Sequence, residues 1–111
     1  MSAAKFADAA ALDRALTAPL FLVFKHSSRC NVSASAFAEY EAFAAARPDV
    51  PTAWIDVIAE RPWSQRAAEL SGVPHESPQA ILVRDGRAAW HASHGAVTQR
   101  ALESAVGPRR G

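Results

Sequence analysis

Leu20-Phe21-Leu22-Val23-Phe24-Lys25-His26-Ser27-Ser28-Arg29-Cys30-Asn31-Val32-Ser33 changes its period part-way along. Leu20 to Lys25 is an almost wholly apolar run that follows Pro19, the pattern of a short strand buried on both faces. From Val32 the period becomes helical: Ala36, Phe37, Tyr40 and Phe43 share one face, Glu39 and Glu41 point elsewhere, and the pattern ends near Arg47-Pro48. A strand, a polar turn and a helix open a βαβ unit, and the carboxyl end of such a strand is where open α/β sheets hold their ligands. Cys30, the one cysteine of the chain, stands at that junction.

Upstream, Phe6, Ala9, Leu12 and Leu16 recur at helical spacing, and Pro19 stops that first helix. Downstream, Thr52 to Ile58 is a second strand candidate, and Pro62 to Leu70 reads as a helix with proline in its first turn and Gly72 as its end signal. Ala80 to Val83 is a third strand, and Asp85-Gly86 is a hairpin turn leading to a fourth at Arg87 to Ala92. A last helix, about Val97 to Val106 with Val97, Ala101 and Ala105 on one side, precedes a basic tail, Pro108 to Gly111, expected to fray. The first crossover should be right-handed and parallel and the hairpin antiparallel, giving a small mixed sheet with helices on both faces. The alanine-rich composition blurs helix amphipathicity, since alanine fits either face.

A chain of 111 residues with 50% hydrophobic and 21% charged residues suits one α/β domain with a real core, and no linker or repeat argues for a second. Net charge is +1, with basic and acidic residues interspersed, so no basic stripe points to nucleic acid. Met1 to Leu16 lacks the uninterrupted apolar stretch of a signal peptide or membrane span. A lone cysteine suits a reducing compartment, so the expected location is cytoplasmic and no membrane partner is expected.

The amides and dipole at a helix start favour a thiolate, and Lys25, His26 and Arg29 are close enough in sequence to Cys30 to add positive potential. A serine, Ser33, occupies the position where a dithiol oxidoreductase carries its second cysteine, so no CxxC disulfide can close. For any thiol, a pKa lowered by about two units raises the attack rate only about threefold but makes the sulfur a good leaving group from a mixed disulfide. That chemistry suits a thiol that is loaded and unloaded repeatedly. A second cluster, Gly72-Val73-Pro74-His75-Glu76-Ser77-Pro78-Gln79, precedes the third strand. A proline there lacks an amide donor and can take a cis bond that presents neighbouring backbone to an extended ligand. His26, His75, His91 and His94 show no short zinc-ligand spacing, so a metal is not expected. Asp56, beside apolar residues, reads as a satisfied structural acid.

Three separated stretches, Phe24 to Cys30, His75-Glu76-Ser77-Pro78-Gln79 and Trp90-His91-Ala92-Ser93-His94, together resemble the monothiol bacilliredoxins of the bacillithiol redox system, within the thioredoxin superfamily. The resemblance spans about Leu12 to Val106 and implies a thioredoxin-like fold, a central four-stranded mixed sheet flanked by helices on both faces. It implies thiol–disulfide exchange with bacillithiol, a small thiol built of cysteine, glucosamine and malate. Cys30 would take bacillithiol from a protein mixed disulfide and a further thiol would regenerate it, with no tightly bound cofactor. Pro78 would be cis, with Ser77 offering backbone hydrogen bonds to the bound thiol, and His75 and Gln79 sharing the substrate-binding loop. The anionic malate end gives Lys25, Arg29 or His75 a ligand-contacting role. The family usually has proline after the cysteine; here Asn31 can cap the helix or approach the sulfur, and Ser33 can donate to a Cys30 thiolate.

The expected partners are therefore bacillithiolated proteins and bacillithiol or a similar small thiol. Two other functions fit a single cysteine on this scaffold. One is a non-catalytic binding or adaptor module; the other is an iron–sulfur carrier using Cys30 with an external thiol, as monothiol glutaredoxin relatives can.

Overall fold

The computed structural model describes residues 3–108. Its elements run α1 (Ala9–Leu16), β1 (Leu20–His26), α2 (Asn31–Ala46), β2 (Thr52–Asp56), α3 (Arg61–Ser71), β3 (Gln79–Arg84), β4 (Arg87–Ser93), a short 3₁₀ turn (His94–Ala96) and α4 (Gln99–Val106). The strands form one sheet in the order β2-β1-β3-β4. β1 is parallel to β2, with Phe24 opposite Trp54, and antiparallel to β3, with Lys25 opposite Gln79; β3 and β4 form the expected hairpin. Of the expected frayed tail, residues 109–111 lie outside the described residues.

Strand alternation divides the core in two. Val23, Ile55, Ile81 and Val83 pack with Leu12, Ala15 and Leu16 of α1 and Ala67 of α3. Leu22, Phe24, Ala80 and Leu82 pack with Ala36, Tyr40 and Phe43 of α2 and Leu102 of α4. Helices thus cover both faces, and the central strand β1 buries Leu22, Val23 and Phe24 completely.

Several boundaries differ from the sequence reading, each for a local reason. Phe6 lies outside the first helix: Asp8 caps α1 through Ala11 N–H at 2.8 Å, while Lys5 bridges Trp54 in parallel and Phe6 N–H donates to the Trp54 carbonyl at 3.0 Å. β2 stops at Asp56 because its carboxylate accepts the amides of Ile58 and Ala59, at 2.9 and 3.1 Å, and turns the chain. Asp56 is thus a satisfied structural acid. α4 begins at Gln99 because Thr98 caps it through Ala101 N–H, and its buried residue is Leu102 rather than the alanines of the expected face. Gly72 ends α3 in the left-handed region, φ 73°, where a side chain would be strained.

Candidate active site around Cys30

Cys30 is the N-cap of α2, with extended backbone (φ −116°, ψ 126°) and no side-chain capping bond. Its N–H closes a turn onto the Ser27 carbonyl at 3.2 Å, and its carbonyl accepts the first intrahelical bond, from Ala34 N–H at 3.0 Å. The thiol is half-buried at the positive end of a 16-residue helix. Asn31 is the first helical residue and exposed, so it does not cap the helix: that place belongs to Cys30.

Ser33 is fully buried. Its hydroxyl oxygen accepts the Ser27 N–H at 2.8 Å and lies 2.9 Å from His26 Nδ1, so it braces the turn that carries the thiol. His26 is stacked on Phe37, centroids 4.4 Å apart, and meets Trp54 edge-on. Burial lowers the His26 pKa from the ordinary imidazole value, disfavouring its charged form, and its contacts shape the turn. Arg29 is exposed and directly precedes the thiol.

The register continues this edge of the sheet into the second cluster. Lys25 pairs with Gln79, which brings Ser77-Pro78 beside the end of β1, and the Ser77-Pro78 bond is cis. The loop is held from below. Gln79 is fully buried, and its amide donates to the Pro74 carbonyl at 3.1 Å and reaches Ser93 Oγ at 3.4 Å, while Pro78 accepts from His94 N–H. Gln79 therefore sets the shape of the loop and has no open side to a ligand. Across the loop, Glu76 pairs with His94 at 3.4 Å, a contact the sequence reading did not find.

Lys25 shares its face of β1 with Val23, the α1/α3 side, away from α2. It is fully buried, and Nζ lies 3.1 Å from His75 Nδ1, which also lies 3.1 Å from Ser64 Oγ of α3. Burial pushes Lys25 down to about 8, and burial together with the Lys25 charge lowers His75. Exposed His75 covers Lys25, so the ammonium acts on any ligand through that ring. Ser64 was absent from the sequence reading, although a serine on the inner face of α3 beside Ala67 signals a buried polar partner.

A half-exposed single thiol at a helix start, with a serine braced where a second thiol would stand and a cis proline loop alongside, has the parts for exchange with an external disulfide. The family model "Monothiol bacilliredoxin BrxC" matches residues 5–102. The chain belongs to the monothiol bacilliredoxin family.

Solved structures agree on the scaffold. A thioredoxin-fold protein is similar at 29% identity over 96% of this chain and 95% of its own, with a TM-score of 0.86. Oxidised mitochondrial thioredoxin 3 from Saccharomyces cerevisiae (14% identity, 92% and 91% covered, TM-score 0.71) and oxidised thioredoxin from Plasmodium falciparum (13%, 93% and 93%, 0.71) share the fold. The bacilliredoxin thus has the expected thioredoxin fold, and its family assigns it a redox role. Among the described residues, no group of three or more His, Cys, Asp and Glu side chains is placed to hold a metal, and no helix is long and apolar enough to cross a membrane.

Proposed function

We propose that this bacilliredoxin removes bacillithiol from protein mixed disulfides in a reducing, cytoplasmic setting, with Cys30 as the nucleophile and bacillithiol as the thiol co-substrate. The Cys30 thiolate attacks the bacillithiol sulfur of the mixed disulfide. A new Cys30–bacillithiol disulfide forms and the substrate protein leaves as a thiolate. A second small thiol, as thiolate, then attacks the bacillithiol sulfur bound to Cys30, forms a small-molecule disulfide with it and returns Cys30 as thiolate. No net electron is lost at Cys30 over the cycle.

The observation that supports this reading most strongly is the pairing of half-exposed Cys30 with buried Ser33, whose oxygen is engaged by Ser27 N–H and His26. Nothing at that position can resolve the mixed disulfide internally, so the second sulfur must come from outside. Ser77 at the cis bond and His75 are the substrate-side groups in this reading, with Arg29 as exposed positive charge beside the sulfur. The test is release of bacillithiol from a bacillithiolated protein in the presence of free bacillithiol, followed by mass. Wild type accelerates release and Cys30→Ser does not; equal rates for both proteins would reject the proposal.

A further inference from the structure

A cavity of about 270 Å³ opens beside the Lys25–His75 pair, lined by Val57, Ile58, Arg61, Ser64, Gln65 and His75. Its edge is tied to the thiol's strand, because Val57 N–H donates to the His26 carbonyl at 2.9 Å. Cys30 is four positions after His26, a span of at most about 14 Å. The cavity and the sulfur therefore lie within reach of one small, elongated ligand.

The charge of this cavity is set by where nearby acids go. Glu60 accepts the Asp56 amide at 3.0 Å and pairs with Lys5 at 3.1 Å. Asp56 is taken by the amides of Ile58 and Ala59, and Glu76 pairs with His94. Arg61 on the wall and Lys25 behind His75 remain as its positive groups. An ammonium has donors only, so Lys25 donates to His75 Nδ1 and the ring keeps its proton on Nε2, the nitrogen not engaged by Lys25 or Ser64. Helix amides do not make this site: Pro62 has none, and the Trp63 and Ser64 amides close onto the Glu60 carbonyl. The donors on offer are side chains, a planar guanidinium and a fixed imidazole N–H, which match a carboxylate.

We propose that this cavity is the subsite for the malyl carboxylates of bacillithiol, with Arg61 as their clamp and His75 Nε2–H as a second donor. The assignment rests on the exchange reading above and adds the specificity residue, Arg61, that distinguishes bacillithiol from an uncharged thiol. The cysteine end lies at Cys30 and the dicarboxylate end lies between α3 and the His75 loop. Lys25 is a positioning residue, acting by fixing the His75 tautomer.

The test compares rates of Cys30 adduct formation from two probes, bacillithiol disulfide and the disulfide of the same thiol lacking its malyl group. Wild type should favour the malyl probe by about tenfold, the scale of one charged hydrogen-bonded contact. Arg61→Ala should bring the ratio of rates close to one and Arg61→Lys should restore part of it. Arg87→Ala, exposed at the far end of the sheet, should keep the wild-type ratio. A wild-type ratio near one, or an unchanged ratio in Arg61→Ala, overturns the subsite while leaving exchange intact. No adduct from either probe overturns the exchange reading and the subsite with it.

Discussion

Two buried polar residues carry the local argument. Ser33 satisfies Ser27 N–H and His26 inside the turn below the thiol, so Ser33→Ala leaves the half-buried Ser27 amide without its acceptor. It should destabilise the fold by about 2 kcal/mol in urea denaturation, the usual cost of such an orphaned group. Lys25 behaves differently because its ammonium is buried without a carboxylate contact to Nζ among the described residues. With its pKa pushed from 10.5 down to about 8, the unfolded chain binds a proton between those values that the folded chain has released, so stability rises with pH across that window. Relative to Lys25→Met, wild type should therefore gain about 3 kcal/mol between pH 7 and pH 11. A constant difference between the two denaturation curves would show that Lys25 keeps its ordinary pKa. Cys30 itself was legible, since strand, polar turn and helix are all local patterns. The surroundings of Lys25 were not: sequence adjacency put it near the sulfur, whereas alternation along β1 turns it to the opposite face, toward His75 fifty positions away.

At the scale of elements, the start of α2 decides how the thiol is presented. Cys30 has the extended backbone that a residue before proline requires, and Asn31 holds the first helical position, where proline loses nothing that a helix would use. Asn31→Pro should thus stabilise the protein by about 0.4–1 kcal/mol, seen as a melting temperature a few degrees higher. A lower melting temperature would mean that the Asn31 amide or side chain does more than the geometry indicates. Strands and helices were readable where the period was strong, as in β1 and α2. Their ends were less so, because side chains such as Asp56, Asp8 and Thr98 set them by capturing particular amides. Phe6 shows the other limit: among alanines its spacing fits a helix, yet its backbone bonds along β2.

Across the whole molecule, α4 is tied to α2 at both ends: Gln99 N–H donates to Glu39 Oε1 at 2.7 Å, and Arg47 clamps the other end. Arg47, buried at the end of α2, binds Asp49, Glu103 and the Gly107 carbonyl at 2.8–3.0 Å, while Leu102 fills the core beneath. Arg47→Ala should cost about 2 kcal/mol, since the two carboxylates left behind are half-exposed and rehydrate, and α4 amides should exchange faster with solvent. That clamp was invisible in the sequence because its partners lie 56 and 60 residues away. The element order and the mixed sheet were visible; the strand order and the Arg61–Ser64–His75 wall were not, because both depend on pairings between distant segments. The proposed function depends on one sulfur doing intermolecular chemistry on this scaffold. Intact-protein mass spectrometry after incubation with oxidised bacillithiol at neutral pH tests it most directly. The predicted result is one bacillithiol per chain, mapped to Cys30 and removed by excess thiol; an unchanged mass would contradict the account.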